Sequence, residues 1–397
     1  MAREGTARHV RAMYSKWPYP SRLAGKDLTY DLVNLIRLLL PAEMLRDIDV
    51  LDAGCGSGHR LVAFAKRFPE ARFTGIDISE DSLEVGRQLA FQHGVKNVRF
   101  LYQDLLDLDL SDAFDIITST GVVHHLEDPA AGLANLCQLL SPDGIISIWL
   151  YHSIGEFKRL NARELLRTLW TDEDDHATGI ALMRDLSLSL DKHRYGSSAA
   201  QYNVDRESIE VDAFMHPIVA AYRFDEALDM FARCQVDWAA VNGINTVGES
   251  KLIDLDEVES ELRPLCVPID TLLQKASLLS RYRILNKADK LRVLELLTEP
   301  TGFTVLAGRG NSLVEAGAAC ARQSNTVPPP SMMFSAHDGD DGVQVLALHA
   351  GTMGAPLFVI VDNLLFGRLA RAPSPRAADH RSRGCVSTRR PQPSFSR

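Results

Sequence analysis

An α/β fold with a mostly parallel sheet is predicted from three features of the sequence. Val50-Leu51-Asp52 and Arg72–Asp77 are short apolar runs that each end in an acid. Between them, glycines at alternate positions (Gly54, Gly56, Gly58) lead into Arg60–Phe68, whose spacing is helical. Further strand-like runs follow at Val98–Tyr102, Phe114–Thr118 and Gly144–Leu150. The intervals are long enough for helical crossovers, which parallel neighbours require.

Each of these elements has a chemical reading. A tight strand-to-helix turn needs the backbone freedom of glycine, and a ligand can approach a main chain that lacks Cβ atoms. Amide groups at the helix start would favour a ligand's carboxylate or phosphate. Asp77 stands where a βαβ unit places a ribose-binding carboxylate. A dinucleotide turn would read G-x-G-x-x-G. Here Gly58 comes one place early and His59 stands where that turn needs its glycine.

The order of LDAGCGSG, the acid of GIDIS, QDLLDL, FDIITSTGVVHHLEDP and LLSPDGIISIWLY resembles class I S-adenosylmethionine (SAM)-dependent methyltransferases over roughly residues 48–151. The resemblance implies a Rossmann-like, seven-stranded mixed sheet with an inserted helical lid, and SAM as cofactor. It implies that Gly54, Gly56 and Gly58 face the methionine part and that Asp52 accepts from its ammonium. Asp77 would take both ribose hydroxyls, offering two acceptor oxygens to two donors. Asp104 would meet the adenine amino group between the apolar walls Ile78 and Leu105, and Gly121 would leave clearance for the methyl group. The alternative for any single acid is a solvated strand end.

His124 and His125 follow the fourth strand, at the end where parallel strands line a ligand crevice. An imidazole there suits removal of a proton from a hydroxyl acceptor, although one of the two could simply hold the loop. Upstream, Tyr14-Ser15-Lys16-Trp17-Pro18-Tyr19-Pro20 has two prolines against a regular helix and three aromatic rings to bury. It is similar to an element that folds over the cofactor in some small-molecule methyltransferases, which makes Tyr14 a cofactor-side candidate; a packed N-terminal arm is the other reading. Asp212-Ala213-Phe214-Met215-His216-Pro217 resembles a second element of the same relatives, so His216 joins the acceptor-side candidates, against a loop-bracing role. Thr171–His176 is acidic, but its spacing fits no calcium loop, and no metal is expected.

The expected organisation is an N-terminal cap (1–45), a SAM-binding core (46–152), a helical insertion (153–222) and the rest of the methyltransferase domain (223–312). Helices are expected at Leu28–Leu40, Ile154–Trp170, Ile180–Leu190, Phe224–Cys234, Leu255–Leu279 and Asp289–Leu297. Val236–Val241 and Phe303–Ala307 supply two more strands, the last antiparallel, with Asn242–Asn245 turning away. Residues 313–342, with Pro328-Pro329-Pro330, read as a linker. Residues 343–371 resemble the opening strands of assembly-line thioesterases, but the chain has no G-x-S-x-G, which excludes a working hydrolase. Residues 372–397 read as a disordered basic tail, or as residues out of the thioesterase reading frame.

Composition narrows the partners. Of 43 basic and 52 acidic residues, eight and one lie in 367–397, which leaves the remainder strongly acidic at 35 against 51. That is a poor match for a nucleic-acid backbone. The six cysteines form no C-x-x-C pair, no apolar run approaches a membrane span, and the N-terminus lacks a signal-peptide core. A cytoplasmic enzyme methylating a small-molecule acceptor is therefore expected, the acceptor being a secondary metabolite or assembly-line product and assembly-line proteins possible partners. The alternative is a non-catalytic SAM-binding module beside such an assembly line.

Overall fold

The structure is a computed structural model that describes residues 2–19, 28, 46–173, 175–189, 206–246, 249–253, 266–310, 336–338 and 344–346. Its centre is an eight-stranded mixed sheet. The strands are β1 (Asp49–Ala53), β2 (Arg72–Asp77), β3 (Val98–Tyr102), β4 (Phe114–Thr120), β5 (Leu140–Tyr151), β6 (Trp238–Thr246), β7 (Glu249–Leu252) and β8 (Gly302–Gly308). Their spatial order is β3-β2-β1-β4-β5-β8-β6-β7. Strands β3 to β5 run parallel, and β8 lies antiparallel between β5 and β6. The seven strands read from the sequence, including the antiparallel last one, are all present. β7 adds a short antiparallel edge.

The order reverses direction at β1, between β2 and β4, the place where doubly wound sheets open a crevice at the carboxyl ends of their strands. Strand β1 is buried over its last four residues, as a two-sided central strand requires. Helices α2 (His59–Arg67) and α3 (Glu80–Gln92) belong to one core with β1, β2 and β3; α4 (Pro129–Gln138) and α8 (Phe224–Ala232) belong to a second, with the inner strands. Ser79 caps α3 by accepting from Ser82 N, and Asp128 caps α4 by accepting from Ala131 N.

Several boundaries differ from the expectation. Helix α1 covers Ala2–Lys16, so Tyr14 to Lys16 are helical, and the helix stops just ahead of Pro18. The prolines end a helix here instead of excluding one. Asn242–Asn245 does not turn away but stays in β6, because β8 pairs with it as far as Gly302. A register shift between Val241 and Gly243 absorbs Asn242. Helix α5 (Phe157–Leu169) falls within its predicted span of Ile154–Trp170, while α6 (His176–Asp185) begins and ends earlier than its predicted Ile180–Leu190. Asp175, in the acidic break, caps α6 by accepting from Thr178 N.

The long helix expected over Leu255–Leu279 is, where described, two short ones: α9 (Ile269–Leu273) and α10 (Ala276–Arg283). They part at Gln274, whose φ is 44°. Helix α11 (Lys287–Thr298) matches its prediction closely. The helix at Leu28–Leu40 lies outside the described residues apart from Leu28. So do the polar part of the insertion, most of the linker and thioesterase-like stretch, and the tail. Within them only β9 (Ala336–Asp338) and β10 (Gln344–Leu346) are described, as an antiparallel pair. No helix among the described residues is long and apolar enough to cross a membrane.

A third core joins the N-terminus to the insertion. Met13 and Trp17 are buried against Leu166, Trp170, Met183 and α7 (Arg206–Met215). Trp17 Nε1 donates to Glu207 Oε1 at 2.9 Å. Burying rings of that size stabilises by about 1.5–3 kcal/mol each, enough to seat α1 on α7.

Opposite, Glu295 of α11 fastens three elements. It accepts from His152 Nε2 at 2.8 Å, from Phe224 N at 2.9 Å and from Arg223 Nη2. Burial raises its carboxyl, but these donors outweigh burial and bring it down to about 2. Because the folded value lies below the ordinary 4.5, its contribution is complete above pH 4.5 and is lost as pH falls towards 2. Glu295→Ala should cost about 3–5 kcal/mol, the usual penalty for removing one partner of a buried ion pair. Urea denaturation at neutral pH measures it, and a loss under 1 kcal/mol would mean that the cluster does not hold these elements together.

Candidate functional site

The glycine turn closes on the end of β2. Gly54 N and Cys55 N both donate to Ile76 O, at 2.8 and 3.0 Å. Gly56 N donates to Asp77 Oδ2 at 2.8 Å, and Ser79 N donates to Asp77 Oδ1 at 2.9 Å. Each oxygen of Asp77 therefore keeps lone-pair capacity for one more donor, which suits a vicinal diol. Burial raises the Asp77 carboxyl, and the amides of Ser79, Gly56 and Ile78 oppose that rise. Asp52 is buried at the end of β1 and accepts from Thr118 Oγ1 at 3.0 Å.

The amides of the turn itself are taken up within the chain. Ser57 N donates to Tyr19 O at 3.0 Å, its hydroxyl reaches the same carbonyl at 3.0 Å, and Gly58 N donates to Cys55 O. All five amides from Gly54 to Gly58 are thus used within the chain. A Cβ on Gly56 would stand 2.5 Å from Tyr19 O, so this glycine makes room for the N-terminal segment. At Gly58 the missing Cβ makes room for Phe100 and Gly86, which lets α2 and α3 approach closely. Gly121, at φ +77°, has nothing nearer than 3.9 Å to its missing Cβ.

Asp104 follows β3 and accepts from Leu106 N at 2.9 Å through one oxygen. Leu105 beside it is buried, its carbonyl accepting from Asn135 Nδ2, while Ile78 is half-buried. Asp52, Asp77 and Asp104 end three neighbouring strands on the same edge of the sheet.

The acceptor-side candidates converge although their sequence positions do not. His124 and His125 lie in a single 3-10 turn after β4 (Val123–His125), and His216 in the loop that ends α7. The His125 and His216 rings are 3.9 Å apart between centroids. The His124 ring is 4.4 Å from His125 and 4.0 Å from Tyr151. Tyr14 reaches the cluster from α1, 5.8 Å from His216, with its hydroxyl donating to Asp212 Oδ1 at 2.7 Å. Tyr14 is thus held from the insertion side. Its hydroxyl is raised well above 10 by burial, then by Asp212 and Asp77.

The ring nitrogens are unevenly used. His125 Nδ1 is 2.6 Å from Ile218 O, and His216 Nδ1 accepts from Ile218 N at 3.1 Å. Among the described residues, His125 Nε2, His216 Nε2 and both nitrogens of His124 have no hydrogen-bond partner. Buried polar atoms without partners are uncommon, and a group of them marks a place for water or ligand. Behind them, α5 supplies Arg159, stacked on the Tyr151 ring at 4.3 Å, and Arg163, whose Nη2 donates to His216 O and Pro217 O. No His/Cys/Asp/Glu group suited to a metal occurs among the described residues.

Sequence reading missed Tyr19, Ser57, Asp212 and Ile218 as parts of this site. Asp212 lay inside a recognised element but carried no role. Tyr19 O and Ile218 act through their backbones, which leave no signature in residue type.

The glycine turn lies between two acid-ended parallel strands, as the resemblance to SAM-dependent methyltransferases implies. Residues 45–194 match a family model described as a methyltransferase domain. SAM is the cofactor of that domain, and its methyl group sits on a sulfonium that is already activated. An uncharacterised Synechococcus sp. protein is 31% identical over 269 residues, 66% of this chain and 60% of its own. A Bacillus anthracis malonyl-[acyl-carrier protein] O-methyltransferase is 33% identical over 109 residues, 28% of this chain and 38% of its own. The solved structure of PKMT2 from Rickettsia typhi overlaps 75% of this chain and 54% of its own at 20% identity, with a TM-score of 0.49. The chain thus spans less than two thirds of the length of each of these proteins.

Burial pushes all three imidazoles below the ordinary 6.5, His124 and His216 the furthest. The unfolded chain protonates these rings below pH 6.5 while the folded chain does not, so stability falls as pH drops below that value. Melting temperature should therefore decline from about pH 7 to about pH 5.5, and His124→Phe should flatten the decline. A slope unchanged by that substitution would show that the ring is not held neutral.

Proposed function

We propose that this chain transfers the methyl group of SAM to a small-molecule acceptor. The observation that carries the acceptor side is the set of unpartnered imidazole nitrogens. They lie at the carboxyl ends of β4 and β5, and Tyr14 of α1 and the α7 loop meet them there. A site enclosed in this way suits a small molecule better than a folded protein or a duplex, and the acidic body argues the same way against nucleic acid. A secondary metabolite or assembly-line product fits the enclosure, and a cytoplasmic setting fits the cysteine usage.

Asp77 would hold the ribose diol, Asp52 the ammonium, and Asp104 with Ile78 and Leu105 the adenine. Gly54, Gly56 and Gly58 shape the turn against the methionine part, with Tyr14 as its outer wall. Gly121 leaves clearance at the reacting centre. His125 is the base candidate, because its Nδ1 is committed to Ile218 and its Nε2 is bare. His216 is its neighbour in the acceptor site. His124 packs between Tyr151 and His125, a supporting position.

Calorimetry should show SAM binding to the chain and no binding of NAD. Asp77→Ala should weaken SAM by about 1.5–3 kcal/mol per charged hydrogen bond lost; an unchanged affinity would remove Asp77 from the site. His125→Ala should leave SAM affinity near wild type and lower turnover by about 10²–10⁴-fold, the usual worth of a general base. SAM binding without transfer of labelled methyl to any extract component would favour the non-catalytic module.

The domain boundaries are part of the same proposal. β8, the last strand of the main sheet in chain order, ends at Gly308, and among the described residues β9 is paired with β10. A chain ending near residue 320 should keep both SAM affinity and melting temperature. A collapse of either would make the C-terminal segment part of the fold.

A further inference from the structure

Two cysteines distant in sequence meet at the end of the sheet away from the candidate site. Cys137 is the next-to-last residue of α4, and Cys234 stands two places beyond the end of α8. β8 lies antiparallel to both β5 and β6, so those two strands run the same way. Cys137 precedes the start of β5 and Cys234 the start of β6, which puts both at the opposite end of the strands from Tyr151. Arg309, just past β8, ties the two segments together. Its Nε donates to Gln235 O and its Nη1 to Leu140 O, each at 2.8 Å. One guanidinium thus clamps the main chain one residue from Cys234 and three from Cys137.

The thiols follow the main chain. Cys137 is buried, Cys234 is half-buried, and Cys234 packs against the core that holds Cys137. The Cys137 thiol donates to the Cys234 sulfur, which raises the first and lowers the second. Cys234 Sγ also lies 3.4 Å from Met230 O. Both cysteines are free thiols in this structure. Core filling explains Cys137, but it does not call for a second sulfur against it at a position open to solvent.

From this juxtaposition we propose that Cys137 and Cys234 are a redox-responsive pair, oxidised by a hydroperoxide to a disulfide that fastens α4 to α8. Half-buried Cys234 is the thiol a peroxide reaches first. Its sulfur attacks one oxygen of hydrogen peroxide, the O–O bond breaks, and the departing hydroxide takes the thiol proton as water. Cys234 is then a sulfenic acid. The Cys137 sulfur attacks that sulfur, the S–O bond breaks, and the second hydroxide leaves as water with the Cys137 proton. Two thiols and one peroxide become one disulfide and two waters. Arg309 offsets the negative charge on Cys137 as it attacks. The cysteines are 97 positions apart, and the ring they close includes β5, α5, α6 and α7. A ring that long restricts the unfolded chain strongly, so the bond should stabilise the fold.

The test treats the full chain with hydrogen peroxide, blocks the remaining thiols with N-ethylmaleimide in denaturant, and digests it. The expected result is a linked peptide pair carrying Cys137 and Cys234, separated again by dithiothreitol. Melting temperature should rise by about 5–10 °C on oxidation and return on reduction. Cys137→Ala should stop the reaction at the sulfenic acid, which dimedone traps on Cys234. Cys234→Ala should leave Cys137 a thiol at the same peroxide dose. The Cys234 variant changes a half-open position, so its result stands even where the buried Cys137 variant misfolds. Peroxide that leaves both as thiols, oxidises them without joining them, or joins either to another cysteine overturns the pair. A linked chain that melts no higher than the reduced one overturns the fastening role.

Discussion

The carbonyl of Ile76 and the carboxylate of Asp77 hold the glycine turn onto the end of β2, and the cofactor side of the molecule depends on that attachment. Three consecutive amides, Gly54 to Gly56, donate to these two residues. The positive φ values of Gly54, Gly56 and Gly58 let the chain curl tightly enough for them to do so. The same carboxylate is then presented, with capacity to spare, where β2 ends. The turn is therefore not a nest for an anion but a clasp that aims an acceptor group, and the ligand groups it suits are donors.

The N-terminal segment ties this clasp to the acceptor side. Tyr19 O sits on Ser57, Trp17 is anchored to α7 through Glu207, and Tyr14 donates to Asp212 of the same helix. Three contacts within six residues connect the glycine turn to the insertion that carries His216. A disturbance at either end should be felt at the other, because the arm spans both and its aromatic rings are buried in a core of their own.

Electrostatics in the acceptor cluster are governed by burial. Three neutral imidazoles pack together because water is excluded, and protonating any one would place its charge beside the other two and the arginines of α5. Arg159 is paired with Glu156, whereas Arg163 Nη2 donates to the carbonyl oxygens of His216 and Pro217. Burial with Arg159 and Arg167 nearby lowers the Arg163 guanidinium to about 10. The local field thus opposes a positive charge on the rings, and it leaves His125, which has Asp212 to offset that field, as the ring best placed to take a proton.

The residues themselves determined the sheet and its cofactor edge. Alternating glycines after an apolar run, and acids closing successive runs, are local patterns whose physical cause lies within a few residues, so β1 to β5, Asp52, Asp77 and Asp104 were legible. Partial boundaries were legible too: the prolines after Trp17 stop α1, though nothing in that stretch alone showed the helix before them. What only the tertiary structure decided are meetings across distance. Val241-Asn242-Gly243 looked like a strand end until β8 supplied a partner that carries β6 through it. Tyr19 and Ile218 act by main-chain groups that every residue possesses, so their identity holds no hint of their role. His125 and His216 stand 91 positions apart, and which nitrogen each presents depends on a carbonyl and an amide of a third residue. Protonation geometry of that kind is set by packing, and it arises only when the insertion folds back over the sheet.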